Sequence, residues 1–304
     1  MKKILCIAEC CCDLIFAGLP RIPALGEEVY GDAFAIKPGG GANTPISLGR
    51  LGAPVTLLTR IGDDDMGKVI LEGLTAAHVT AAGSVRTPGI RTPVSAVLST
   101  RQDRCFASYG GTGGTPFQEE LLEAAIREAD IVHTYLGYCF TYPIAELCRE
   151  YGRELSLDVS WCDTEDPARA GAVLRDCGWL KVNADEALRL TGCDTPERAL
   201  AALASEVRLG AVVTLGGDGC IGMRGRLFPE ERTVYRFGAV SCGEFRDACG
   251  AGDNFAAGML YGLAGCRTLP QCMELGSRLA GLSVTWYGGN DDTLNCTKID
   301  PAFQ

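Results

Sequence analysis

The stretch Asp247-Ala-Cys-Gly-Ala-Gly-Asp253, continued by Asn-Phe-Ala-Ala-Gly-Met-Leu-Tyr-Gly-Leu263, decides how the rest of this chain is read. Phe255, Met259 and Leu263 recur at i, i+4 and i+8, the spacing of one apolar helix face. The helix is predicted to begin between Gly250 and Gly252, where missing or small side chains let backbone N–H groups approach an anion closely. A helix N-terminus adds partial positive charge. Gly250, Ala251 and Gly252 are thus expected to cradle an anion, including negative charge that develops during a reaction. Asp253 falls in the first turn, where its anion is stabilised and can accept a proton from a hydroxyl within hydrogen-bond reach. The plainer reading is an ordinary first-turn aspartate after a glycine turn.

Bulk properties narrow the field. The 304 residues are 47% hydrophobic, enough for a sizeable core, and the 39 glycines follow no repeat. A net charge of −10 without a basic run argues against nucleic acid as a partner. An anionic nucleotide would have to be held locally, by amides, a helix N-terminus and Mg²⁺. Sixteen cysteines invite a disulfide or metal reading. However, there is no Cys-x-x-Cys pair, and His78 and His133 are the only histidines. The N-terminal apolar stretch is interrupted by Glu9 and Asp13 and has no small-residue cleavage site. Reduced thiols serving as small hydrophobes in a cytoplasmic protein are therefore expected. No run of 18 apolar residues suggests a membrane span.

Outward from the opening stretch, Lys3 to Ala8 reads as a buried strand, Ala42 to Leu51 as a helix ending at Gly52, and Val55 to Thr59 as a strand. Arg21 to Lys37 and Val94 to Tyr109, the latter broken at Gln102-Asp103, alternate like antiparallel hairpins with one solvent face. Further on, a helix at Glu119 to Glu128 alternates with apolar runs at Ile131-Val132, Leu155 to Leu157, Leu180 to Val182 and Ala211 to Leu215. That alternation predicts a mostly parallel sheet covered on both faces. We expect one α/β domain over 1–304 with a small β lid from about 14–38 and 92–110.

Other positions carry polar chemistry. In Pro38-Gly-Gly-Gly-Ala-Asn43, bare backbone at Gly39 to Gly41 lets a polyol lie close, and Asn43 offers donors and an acceptor to hydroxyls. Asp13 follows the first strand, at the end where open α/β sheets bind ligands, and could hold two sugar hydroxyls. Asn183 and Glu186 lie three apart after a strand. They suit Mg²⁺ held partly through its own waters, or a capping box, or both. Gly217-x-Gly219-x-x-Gly222 fits a dinucleotide fingerprint on paper, but Ile221 to Met223 continues as a hairpin strand, and no P-loop motif occurs.

Together these motifs resemble the PfkB (ribokinase-like) carbohydrate kinases. Asp247, Gly250, Ala251, Gly252 and Asp253 match the second signature, with Ala248 replacing a usual threonine and Asn254 a usual small residue. Pro38 to Gly52 is similar to the first signature, and Asn183-x-x-Glu186 to the family's Asn-x-x-Glu. Asp158-Val-Ser-Trp161 departs from the common Asp-x-Asn-x-Arg. The resemblance implies a three-layer α/β/α fold with an antiparallel β lid, and ATP-dependent phosphorylation of a sugar hydroxyl with Asp253 as base. It implies a substrate site of Asp13, Gly39, Gly40, Asn43 and Arg104, and a nucleotide side of Asn183, Thr214, Gly216 and Gly219. It also implies ATP and Mg²⁺ near Asn183 and Glu186, a monovalent cation such as K⁺ at Asp247, and a homodimer through the lid. The lack of lysine in Gly39 to Gly41 favours a neutral ribose- or fructose-like sugar. Phe106 and Tyr109, able to stack on a base, make a nucleoside the alternative. A ligand-binding regulator that had lost catalysis would be expected to lack Asp253 or the glycine cradle.

Overall fold

The computed structural model describes residues 1–82, 86–87, 89–100, 104–111 and 117–300. The break expected at Gln102-Asp103 lies outside them. In chain order, the first half runs β1 Ile4–Ile7, β2 Cys10–Leu19, β3 Ala33–Gly40, α1 Asn43–Arg50, β4 Val55–Leu58, β5 Ile61–Gly62, α2 Asp65–Ala76, β6 Thr80–Ala82, β7 Arg86–Thr87, β8 Val94–Thr100, β9 Arg104–Tyr109 and α3 Glu119–Glu128. The second half runs β10 Ile131–Tyr135, α4 Leu136–Thr141, α5 Ile144–Glu150, β11 Glu154–Asp158, α6 Pro167–Leu174, β12 Trp179–Asn183, α7 Ala184–Thr191, α8 Pro196–Glu206, β13 Gly210–Thr214, β14 Cys220–Arg224, β15 Tyr235–Phe237, α9 Ala251–Ala264 and α10 Leu269–Ser283.

A nine-stranded sheet is ordered β15-β14-β13-β12-β11-β10-β1-β4-β6 among the described residues. It is parallel from β6 to β13, with β14 and β15 antiparallel at one edge. Its central strands read as unbroken apolar runs because helices cover both faces. One apolar cluster joins α1, α9 and α10 to one face; a second fills the other face beneath α3, α5, α6 and α8. β14 is the hairpin strand anticipated for Ile221 to Met223.

The small sheet, ordered β3-β2-β8-β9, corrects two expectations. Asp13 follows β1, but not in a turn at its end. It lies inside β2, opposite Lys37 on β3 and Ser95 on β8. Three adjacent cysteines and the aspartate hid the period-2 signal of that ten-residue strand. Regular structure on the β3 side begins only at Ala33, so Val29 and Tyr30 lie in an irregular segment. Moreover β2 and β8 run parallel and so join two antiparallel pairs. Side chains alternate between faces of a strand. Asp13, Ile15, Ser95, Val97 and Phe106 therefore share one face, while Phe16, Phe34 and Ile36 are exposed on the other. Tyr109, three residues from Phe106, points to the opposite face from it, so the two cannot sandwich one base.

All sixteen cysteines are free thiols. Burial pushes Cys10 and Cys249 up to about 12, which keeps them unreactive. No helix among the described residues is long and apolar enough to cross a membrane.

Candidate active site

The first turn of α9 is built by close backbone approach. Its N-cap, Gly250, has φ +72°, and a Cβ there would stand 2.5 Å from the Gly289 Cα. A Cβ on Gly289 would in turn overlap the Asn43 side chain. Glycine at both positions lets three segments converge: the start of α9, the loop after α10 and the start of α1. Asn254, in place of a smaller residue, bolts them together. It accepts from Ser47 Oγ (2.7 Å) and donates to the carbonyls of Gly250 (2.9 Å) and Gly289 (2.8 Å).

Asp253 projects from this junction with both carboxylate oxygens engaged. Oδ2 accepts from Asn43 Nδ2 at 2.9 Å, and Oδ1 accepts from the Tyr135 hydroxyl at 3.0 Å. Asn43 is itself held, because its Oδ1 accepts from Asn290 Nδ2 at 3.1 Å. Burial raises the Asp253 pKa above the ordinary carboxylate value; the Asn43 bond and the Lys181 charge act against that rise. Lys181, on β12, reaches Asp158 Oδ2 at 2.6 Å and the Gly252 carbonyl at 3.4 Å. Burial disfavours its ammonium, but the charge and hydrogen bond of Asp158 prevail and hold its pKa above the ordinary lysine value. Of the cradle amides, Ala251 N–H turns back to the Ala248 carbonyl at 3.3 Å. The Gly252 and Asp253 amides belong to the first turn, which has no intrahelical acceptors.

Asp13 is buried on the inner face of the small sheet, and its carboxylate occupies the space a Cβ on Gly39 would need. Cys11 Sγ donates to its Oδ1 at 3.1 Å. Burial pushes Asp13 up to about 6; the Cys11 bond opposes this and the charges of Asp253 and Asp247 add to it. Gly40 takes a left-handed φ of +56° as the chain leaves β3 for α1. Arg104, at the start of β9, places positive charge where Cys249 feels it. Asp247 is buried, with Oδ1 accepting from Cys249 N–H (2.9 Å) and Oδ2 from Gly288 N–H (3.0 Å).

Two cavities flank Asp253, one lined by its chain neighbour Gly252 and the other by its hydrogen-bond partner Tyr135. One, of about 330 Å³, is mostly apolar and is lined by Thr214, Gly216, Gly219, Phe245, Ala251 and Gly252. The expected nucleotide-side residues thus come together with two members of the cradle, and Asn183 stands beside Thr214 in the sheet register. The other, of about 500 Å³, is lined by Gly40, Gly41, Arg60, Tyr135, Tyr138 and Asp163 among others. Asn183 and Glu186 form a reciprocal capping box, Glu186 N–H to Asn183 Oδ1 and Asn183 N–H to Glu186 Oε2, both 2.9 Å. One oxygen of Glu186 is spent there, and no cluster of three or more acidic, His or Cys side chains suited to a metal occurs among the described residues.

Tyr135 and the Asp158–Lys181 pair were not anticipated from sequence. A polar aromatic at the carboxyl end of an apolar parallel strand, and a lysine inside one, were the signals available.

A model of the pfkB family of carbohydrate kinases matches residues 1–295. The fructokinase of Rhizobium leguminosarum bv. trifolii is 30% identical over 272 residues, 84% of this chain and 78% of that one. The adenosine kinase of Sinorhizobium meliloti superposes with a TM-score of 0.80 at 23% identity, over 95% of this chain and 96% of that one. An Arabidopsis thaliana ribokinase complexed with ribose and ATP superposes at 0.75 and 19% identity, over 98% and 95%.

Proposed function

This chain belongs to the pfkB family of carbohydrate kinases, and from that premise we propose that it transfers the γ-phosphoryl group of ATP to a hydroxyl of a small neutral sugar. The observation that carries the reading is the position of Asp253. Its neighbour Gly252 lines one cavity, and the tyrosine on its Oδ1 lines the other. A carboxylate between a nucleotide pocket and a polar cleft stands where a base must stand to take a proton from an alcohol attacking a terminal phosphate.

The parts divide accordingly. ATP lies in the apolar cavity with its phosphates toward Gly252. The acceptor lies against Gly40, Gly41 and Asn43, its hydroxyls shared with Asp13. As the acceptor O–H proton passes to Asp253, the acceptor oxygen bonds to the γ-phosphorus and the bond to ADP breaks. The cradle amides and Lys181 face the charge that develops. Asn183 and Glu186, whose side chains already serve the cap, would hold the Mg²⁺ of ATP through waters. When bound, it neutralises charge on the phosphates. Asp247, whose oxygens each receive one amide, keeps lone pairs with which to hold K⁺. Closure of the small sheet over the acceptor would exclude water, which otherwise competes for ATP.

Charge on this surface favours a neutral acceptor, because Asp13 and Asp253 would repel a phosphosugar at the contact point. The adenosine kinase likeness and Phe106 on the inner face of β9 keep a nucleoside as the second reading. ADP release measured against pentoses, hexoses and nucleosides is expected to single out a neutral pentose or hexose. Turnover confined to phosphosugars would refute the assignment. The pH dependence should separate the two carboxylates. Asp13 binds hydroxyls best when ionised, so the acceptor KM should stay flat above about pH 6. Below that it should rise roughly tenfold per pH unit as the carboxylate is protonated, with the ATP KM unaffected. An acceptor KM constant from pH 5 to 8 would remove Asp13 from the binding role.

A further inference from the structure

Tyr135 does not belong to any motif of the sequence, yet its hydroxyl is one of two side-chain donors to the Asp253 carboxylate among the described residues. It is the last residue of β10 and the N-cap of α4, with extended backbone angles of φ −86° and ψ 147°. A strand end in the sheet therefore fixes its ring, and the ring walls the cavity that also holds Gly40 and Gly41. We propose that Tyr135 is a positioning residue for the base: it clamps Oδ1 from the acceptor side and so fixes which lone pair of Asp253 meets the incoming hydroxyl. This inference rests on the reading of Asp253 as the base.

The geometry gives the clamp a definite task. A carboxylate has about four lone-pair sites on its two oxygens. Asn43 takes one on Oδ2 and Tyr135 one on Oδ1, each donor held in turn by its own element. The two donors fix the orientation of the carboxyl plane, and one lone-pair site on each oxygen is left for the acceptor proton. Tyr135 suits this role because it stays protonated. Burial, then the Asp253 charge, raise its pKa well above the ordinary phenol value, so it remains a donor throughout the cycle. A donated hydrogen bond also stabilises the ionised base against desolvation. The other charged or titratable groups bearing on Asp253 are Lys181 on β12, Asp158 on β11, Asp13 on β2 and Cys249 in the approach to α9. Asp158 pushes the same way as burial, leaving Lys181, Asn43 and Tyr135 to oppose them, while Asp13 and the buried thiol feel the Asp253 charge in turn.

The test is Tyr135→Phe in the full chain, which keeps the ring and removes the hydroxyl. Aspartate ¹³Cγ labelling with NMR titration, assigned through Asp253→Asn, reads the base directly without any substrate. Loss of a hydrogen bond to a charged group should increase the proton affinity of Asp253 by roughly ten- to a hundredfold. In turnover, the acidic limb of kcat/KM should move up in pH by the matching amount, and the deficit should shrink as pH rises. An unchanged Asp253 titration, or an activity loss equal at every pH, would overturn the clamp. A shifted titration in a protein that phosphorylates no alcohol would uphold the clamp and refute the kinase assignment instead.

Discussion

Asp253→Asn is expected to lower kcat by roughly 10²- to 10⁴-fold, the usual contribution of a positioned general base, while leaving the fold and the affinity for ATP nearly intact. The local hydrogen bonding explains why the damage should be confined to chemistry. Asn43 donates to one carboxylate oxygen and Tyr135 to the other. An asparagine can keep its amide oxygen on Asn43 Nδ2. Its NH₂ then meets Tyr135, whose hydroxyl can turn and accept. Both neighbours of residue 253 keep a hydrogen bond to it, so the thermal midpoint should move little. Only the proton acceptor is gone. Calorimetric titration with ATP, together with kcat on the preferred acceptor, measures both halves. Turnover within a few-fold of the parent would mean that another group takes the proton.

Asp158→Ala should produce the largest loss of stability. The carboxylate holds Lys181 at 2.6 Å, and both residues are buried. Removing it strands an ammonium whose remaining hydrogen bond among the described residues is to the Gly252 carbonyl at 3.4 Å. Breaking such a pair from one side costs about 3–5 kcal/mol, whereas replacing both partners by apolar residues of similar size is often close to neutral. Urea unfolding of Asp158→Ala, Lys181→Met and the double variant Asp158→Leu with Lys181→Met should therefore show two damaged single variants and a double variant near the parent. The double variant should still turn over poorly, since Lys181 faces the developing charge. If the single variants lose less than about 1 kcal/mol, as exposed pairs do, water reaches the pair and the desolvated picture fails.

Much of the scaffold was legible because parallel strands buried on both faces write themselves as continuous apolar runs. Leu180 to Val182 and Ala211 to Leu215 mark β12 and β13 to within a residue or two, and Glu119 to Glu128 gives α3. The start of α9 was legible too, since glycines before an apolar helix leave few alternatives. Legibility failed where one strand serves two purposes. β2 carries Asp13 inward directly after three cysteines and so shows no clean alternation of polar and apolar residues. It failed again for Tyr135 and Asp253, which are 118 residues apart and meet only through the order of the sheet. A pairing of that kind leaves no spacing to read. Asn183 and Glu186 show the opposite limit: one short pattern fits a cap and a metal approach equally, and the cap is what their side chains make in the fold.

The side chain of Lys37 leaves β3 to grip the carbonyls of Tyr287 (3.1 Å) and Asn290 (2.8 Å), and Asn290 returns a hydrogen bond to the Pro38 carbonyl at 2.8 Å. That latch ties one margin of the small sheet to the rigid body, like a door hung on its jamb. Strands lie about 4.8 Å apart, so closure about that margin would carry β9, three places away, on a radius of about 14 Å. The side chains with the longest travel would then be Phe106 and Arg104.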